Sequence, residues 1–232
     1  MDVAILEFFR DFLHNDFTRF FFPLVSFLGN AGLIWLAAAV VLLCVRRWRR
    51  VGVLLLAALA ITFLLNDIVL KNIVERPRPF VDHPELIPPI RLPSGFSFPS
   101  GHSASSFAAA AVLLFCGKRW WGIAAVILAA LIAFSRAFLF VHYPSDVLIG
   151  SLLGFAVGTA CVFLARRFFP SETPLGVWKM GKNKNRNNSC FLLTNPFAAA
   201  ILRDRRKRSK GPIKKESMQN GKVYLQRLWL YL

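Results

Sequence analysis

The chain has 232 residues, of which 56% are hydrophobic, 14% aromatic and only 18% charged, and its mean hydropathy is +0.50. That is too apolar for an ordinary soluble domain, and it excludes disordered, collagen-like and disulfide-scaffold chains. The formal net charge is +17, but residues 171–232 hold 14 Lys/Arg against 3 Asp/Glu while residues 1–170 hold 15 against 9, so the excess lies mostly in a tail. Beside apolar spans such a tail reads as a cytoplasmic end facing anionic lipid, and nucleic acid is not expected as a partner.

In chain order, residues 1–18 come first. Ile5, Phe8, Phe9, Phe12 and Leu13 share one helical stripe, which predicts an interfacial helix lying on a membrane. Asp2, Glu7 and Asp11 stand where a secretory leader would be basic, so no cleavable signal peptide is expected. Five continuously apolar runs follow, at about 20–45, 51–70, 103–116, 120–140 and 147–165. A bilayer core needs roughly 20 helical residues, and barrel strands would alternate. The expectation is an all-α, polytopic membrane bundle over residues 19–168, with about five transmembrane helices. Residues 169–232 are expected to be a basic, disordered tail, with 203–210 as a solvated charge run.

Arg46, Arg47, Arg49 and Arg50, then Lys118 and Arg119, then Arg166 and Arg167 fall on one side of a five-span layout. The positive-inside rule makes that side cytoplasmic. Cys44, Cys116 and Cys161 fall at the same side and Cys190 in the tail, without a C-x-x-C pair, so reduced thiols are expected. The opposite side nevertheless carries Lys71, Arg76, Arg78, Arg91 and Arg136, which need another reason to be there.

Three segments supply that reason. Lys71 ends the second run, and Pro77 and Pro79 hold Arg78 in an extended stretch. A lysine is a compact point charge and an arginine a planar fork, and both suit phosphate oxygens. Pro99-Ser100-Gly101-His102 opens the third run, at a helix N-terminus whose free N–H groups and positive dipole favour anions. Ser100 offers a cap and a hydroxyl, and Gly101 leaves room for close approach. Ser135-Arg136, then His142, then Asp146 close the fourth run and open the fifth. A histidine beside an aspartate is a nucleophile or base with an orienting partner. Three cations, one helix N-terminus and two histidines on one side of a membrane point to a phosphate.

These residues complete three motifs, K-x6-R-P, P-S-G-H and S-R-x5-H-x3-D, and over about residues 15–168 the chain resembles the type 2 phosphatidic acid phosphatase superfamily. That superfamily includes membrane lipid phosphatases and soluble vanadium haloperoxidases. The resemblance implies hydrolysis of a phosphomonoester or diphosphate without metal or cofactor. It gives His142 as nucleophile, Asp146 as acceptor of its other ring N–H, and His102 as proton donor to the leaving oxygen. Lys71, Arg78, Ser100, Gly101 and Arg136 would bind the phosphoryl oxygens. An outward-facing site at headgroup depth in a bacterial inner membrane implies a lipid substrate: undecaprenyl diphosphate, phosphatidylglycerophosphate, phosphatidic acid or a lipid A phosphate. A lipid phosphotransferase and a non-catalytic anion binder or transporter are the alternatives. Gly150, Gly154 and Gly158 suit close helix packing, and Asp67, one turn before Lys71, is placed to pair with it or to line the cavity.

Overall fold

The computed structural model describes residues 1–168; the tail reading, including Cys190, lies outside the described residues. These residues are mostly helical, without a strand among them. Asp2–Phe8 forms α1 and runs into a π-helical turn, Phe9–Leu13. Asn15 then starts α2 (Asp16–Leu28) with a capping box: its side chain accepts from the Thr18 N–H, and the Thr18 hydroxyl accepts from the Asn15 N–H, both at 2.9 Å.

The first apolar run is not one straight span. It breaks at Asn30–Gly32 and resumes as α3 (Leu33–Cys44), bent by 43°. Ala31 (φ 49) and Gly32 (φ 66) are both left-handed there, a conformation that an α-helix cannot continue through. The second run forms α4 (Arg49–Phe63) and then a π-helical stretch, Leu64–Leu70, before α5 (Lys71–Val74) and α6 (Pro79–Asp82). The last three helices are α7 (Gly101–Cys116), α8 (Arg119–Phe138) and α9 (Pro144–Phe168).

Three helical stretches are long and apolar enough to cross a membrane: Arg49–Asp82, Arg119–Phe138 and Pro144–Phe168. The bent α2–α3 pair makes a fourth. The 16-residue α7 is shorter than a full span. It is the centre of the bundle: Ala104, Ala108, Ala109, Ala110 and Ala111 are fully buried. Small side chains there let the neighbouring helices approach, and α9 answers with its own glycines. An added Cβ would lie 1.9 Å from the Ala104 carbonyl oxygen at Gly154 and 2.4 Å from that of Ala108 at Gly158. Outside, Phe20, Phe27, Val41, Leu148, Leu152 and Phe163 are more than half exposed. Such a continuous apolar exterior belongs in lipid, and the protein is a membrane protein.

The basic segments gather at one end, where Trp48 meets Trp121 with ring centroids 4.8 Å apart and Arg166 donates to the Phe115 carbonyl at 2.7 Å. The three motifs gather at the other. There α1 docks on the bundle, with Leu6 buried among Leu86, Ala137, Phe140 and Tyr143, while Phe8 and Phe12 of its apolar stripe face outward.

Candidate active site

Hydrogen bonds tie the three motif segments to one another. Ser97 donates its N–H to the Arg76 carbonyl at 2.8 Å, Ser100 its N–H to the Asp146 carbonyl at 3.1 Å, and the Asn66 amide reaches the Pro99 carbonyl at 3.4 Å. Side chains far apart in the chain are thereby fixed around one cluster.

His142 lies in the short turn between α8 and α9, 2% exposed. Its backbone N–H bonds to the Arg136 carbonyl at 3.3 Å. Its ring Nδ1 is 2.7 Å from the Ser97 carbonyl, an acceptor only, so Nδ1 carries the hydrogen and the lone pair is on Nε2. Nε2 in turn lies 3.3 Å from an Arg78 Nη1. Burial, followed by the charges of Arg136 and Arg78, holds the ring well below the usual histidine range despite nearby Asp146. The ring is neutral, and its Nε2 lone pair faces the Arg78 guanidinium.

Asp146 does not take the ring N–H directly, as expected from sequence: its Oδ2 is 3.8 Å from Nδ1, and the Ser97 carbonyl has that hydrogen. The reason lies in the start of α9. Pro144 occupies the first helical position, and Asp146, two residues on, turns back to accept the Tyr143 N–H at 3.0 Å. The same Oδ2 accepts the Ser97 hydroxyl at 2.5 Å, and Oδ1 accepts Arg76 at 2.6 Å. Asp146 therefore reaches His142 through Ser97.

Arg78 is 5% exposed and donates to the carbonyls of Gly95 (2.9 Å), Ser94 (3.1 Å) and Val141 (2.8 Å). Arg136 is 3% exposed; one Nη1 bonds the Ser26 hydroxyl of α2, and its Nε has no partner. Lys71 pairs with Asp67 at 2.5 Å. Ser100 caps α7, its hydroxyl accepting from the Ser103 N–H at 3.4 Å and the Ser103 hydroxyl at 2.9 Å. Against the bare edge of Gly101 stands Asp67: an added Cβ would come within 2.9 Å of its carboxylate. His102 follows, its Nε2 3.0 Å from the side-chain oxygen of Asn30. It lies within electrostatic reach of Arg136, His142, Lys71 and Arg78.

Sequence reasoning missed Asn30, Ser26, Ser97 and the role of Arg76. The Arg76 guanidinium bridges Asp146 and Asp2 of α1 (3.0 Å), donates to the Ser145 hydroxyl (2.8 Å) and sits 3.9 Å over the Tyr143 ring. Those contacts have costs and rewards at their far ends. Desolvation works against the Asp2 carboxylate, but bonds from Ser145 and Arg76 still draw it below its usual range. Burial and a bond to Asp82 push the Tyr143 phenol up to about 12. The signal for Arg76 was present, since it is a second arginine on the side that should carry few. Among the described residues no group of three or more His, Cys, Asp or Glu is placed to share a metal ion.

The chain is similar to known membrane phosphatases. The PAP2 superfamily profile matches residues 51–170. An undecaprenyl-diphosphatase of Sulfolobus acidocaldarius is 34% identical over 135 residues, 56% of this chain and 64% of that relative, so this chain spans less than two thirds of its length. The crystal structure of Aquifex aeolicus LpxE superposes with a TM-score of 0.62 at 25% identity, covering 69% of this chain and 94% of that one. A PAP2 type phosphatidylglycerolphosphate phosphatase from Bacillus subtilis superposes at 0.60 with 28% identity, covering 72% and 85%. With a profile match over half its length and a shared transmembrane fold, the chain belongs to the PAP2 superfamily.

Proposed function

We propose that this protein is an integral-membrane lipid phosphatase that hydrolyses a lipid phosphate or diphosphate through a phosphohistidine on His142. One observation carries the reading. Arg78 and Arg136 are both buried, yet among the described residues neither forms an ion pair with a carboxylate. Buried charge without a counter-ion is costly, so two such guanidiniums beside a neutral histidine imply an anion that arrives from outside. A phosphoryl group has the charge and the oxygen geometry to meet them.

The chemistry follows from the hydrogen bonds. Nε2 of His142 attacks phosphorus while the bond to the lipid oxygen breaks, and His102 gives that oxygen a proton. Ser97 holds Nδ1–H and shares the positive charge that develops on the ring, with Asp146 behind it. Arg78, Arg136 and Lys71 take up charge on the equatorial oxygens, and the start of α7 adds its N–H groups. Water then attacks the phosphohistidine and gives a proton back to His102; inorganic phosphate leaves and His142 is regenerated. The relatives act on undecaprenyl diphosphate and phosphatidylglycerolphosphate, and lipids of this kind reach a site at the end of a bundle with their chains still in the bilayer. By the positive-inside rule the motif end faces the periplasm or cell exterior of a bacterial inner membrane, with the basic end and tail in the cytoplasm.

Purified protein in detergent is expected to release phosphate from one of these two lipids in the presence of EDTA and to form an acid-labile, radiolabelled phosphoenzyme. His142→Ala should abolish both. Full activity in that variant would remove the nucleophile assignment. A Ser94→Cys variant should be labelled from outside intact cells; labelling only after permeabilisation would reverse the orientation.

A further inference from the structure

The break between α2 and α3 has no explanation in membrane crossing, because a straight apolar helix would cross as well. It is held against a backbone cost: Ala31 is left-handed without being glycine, and Gly32 follows in the same conformation. Each such non-glycine residue costs about 1–2 kcal/mol, and strain of this kind persists where surrounding contacts hold it. What the break delivers is one polar side chain. Asn30 is turned towards α7, and its Oδ1 lies 3.0 Å from His102 Nε2. The adjoining backbone is shaped to the same ring. At Gly29 a Cβ would stand 2.9 Å from His102 Cδ2 and 2.7 Å from Ile132 Cγ2, so the imidazole rests on a bare helix edge. One turn earlier, Ser26 accepts Arg136. The end of α2 and the break after it thus hold two motif residues, from a segment that precedes the family match at 51–170.

We propose that Asn30 is a positioning residue that fixes the tautomer of His102 and so decides that Nδ1 is the nitrogen presented to the leaving oxygen. This rests on the phosphatase reading above. An amide oxygen only accepts, so the hydrogen between the two residues belongs to Nε2 of His102. In the protonated ring the second hydrogen is then on Nδ1. It moves to the lipid oxygen as the phosphorus–oxygen bond breaks, and Nε2–H stays with Asn30 throughout. In the second half, Nδ1 takes the proton from the attacking water. The cations that face His102 are Arg136 from α8 and Lys71 and Arg78 from the first motif, beside the neutral His142 ring from the turn after α8. The incoming phosphate supplies the negative charge that lets an imidazolium coexist with those cations. Asn30 is the neutral partner that orients it.

Proton donation matters in proportion to how poor the leaving group is. The discriminating experiment therefore compares two esters in full-length Asn30→Ala: a long-chain alkyl phosphate, whose alkoxide needs the proton, and p-nitrophenyl phosphate, whose phenolate does not. The expected loss in kcat/KM is about 10²-fold for the alkyl ester, the low end of what general acid catalysis supplies, and less than about 3-fold for the aryl ester. Asn30→Asp keeps an acceptor at the same place and should restore the alkyl-to-aryl ratio towards the wild-type value. Equal losses on both esters, or no loss, would overturn the proposal, as would an Asn30→Asp ratio as low as that of the alanine variant. A wild-type protein inactive on both esters would instead overturn the phosphatase reading beneath it.

Discussion

Gly154→Ala tests whether the α7–α9 contact sets the catalytic geometry. The new Cβ would lie 1.9 Å from the Ala104 carbonyl oxygen and 2.7 Å from its carbon. Both atoms are backbone, so no side chain can swing away. To reach the 3.0 Å below which such contacts essentially never occur, the helices must part by about 1.1 Å. Overpacking of this kind costs about 1–3 kcal/mol in stability. The displacement also reaches the chemistry, because α7 begins with Ser100–His102 and α9 begins two residues after His142. If carried in full, it would lengthen the 3.1 Å bond from the Ser100 N–H to the Asp146 carbonyl past any useful distance. A misplacement of about 1 Å costs on the order of 10² in rate. Gly154→Ala should therefore lose both kcat and thermal half-life in the same detergent. Leu152→Ala, on the lipid-facing side of the same helix, should lose little of either. A Gly154→Ala protein with wild-type rate and half-life would refute the reasoning.

Two further outcomes follow from the cluster. Arg76→Ala leaves Asp146, which is fully buried, without its 2.6 Å donor. The loss of a charged hydrogen bond of this kind costs about 1–3 kcal/mol, and activity should fall about 10–100-fold, as for other residues that orient a catalytic group from behind. Arg76→Lys keeps the charge without the fork and should recover only part; an Arg76→Ala enzyme of full activity would show that Asp146 needs no support. Acid stability should carry the mark of His142. Its folded ring resists protonation, whereas the unfolded ring takes a proton as pH falls through about 6.5. The contribution is present in full above that pH and is lost on acidification, by up to about 1.4 kcal/mol per pH unit. Half-lives of unfolding measured from pH 7 to 5 should shorten accordingly, and those of His142→Asn should shorten less. Equal slopes would mean that the native ring is protonated.

The helical membrane character was legible because lipid-facing helices are apolar on every side and need a minimum length. The same signal is blind to what interrupts a span. Residues 20–45 read as one helix because Gly29, Asn30 and Gly32 are mild breakers in so apolar a run, and the 43° bend is decided by contacts with α7 and α8. The third run is short in the sequence, and α7 is short as well. Its alanines are apolar for burial inside protein, so 16 residues serve where a lipid-facing helix would need more. The glycine stripe at 150, 154 and 158 was legible for the opposite reason: its spacing is local to one helix, and only close packing uses it.

At the site, the motif residues were legible because each stands at a fixed offset imposed by local structure. Lys71 begins α5 one turn after its partner Asp67, Ser100 caps a helix, and Asp146 is at the third position of another, where it turns back on the Tyr143 N–H. Nothing of that kind marks Asn30, Ser97 or Arg76. Their task is to hold a donor or acceptor in place, and any residue that the tertiary path brings near can do it. The exchange between Asp146 and Ser97 shows the consequence. The four-residue spacing of His142 and Asp146 suggested a direct bond, since one helical turn separates such residues. But His142 lies in the turn before α9, where the rise of a helix does not apply, and the 3.8 Å gap leaves Nδ1 to the Ser97 carbonyl. Sequence spacing fixes a distance only inside one regular element; across its boundary the backbone of another loop decides which acceptor the His142 ring receives.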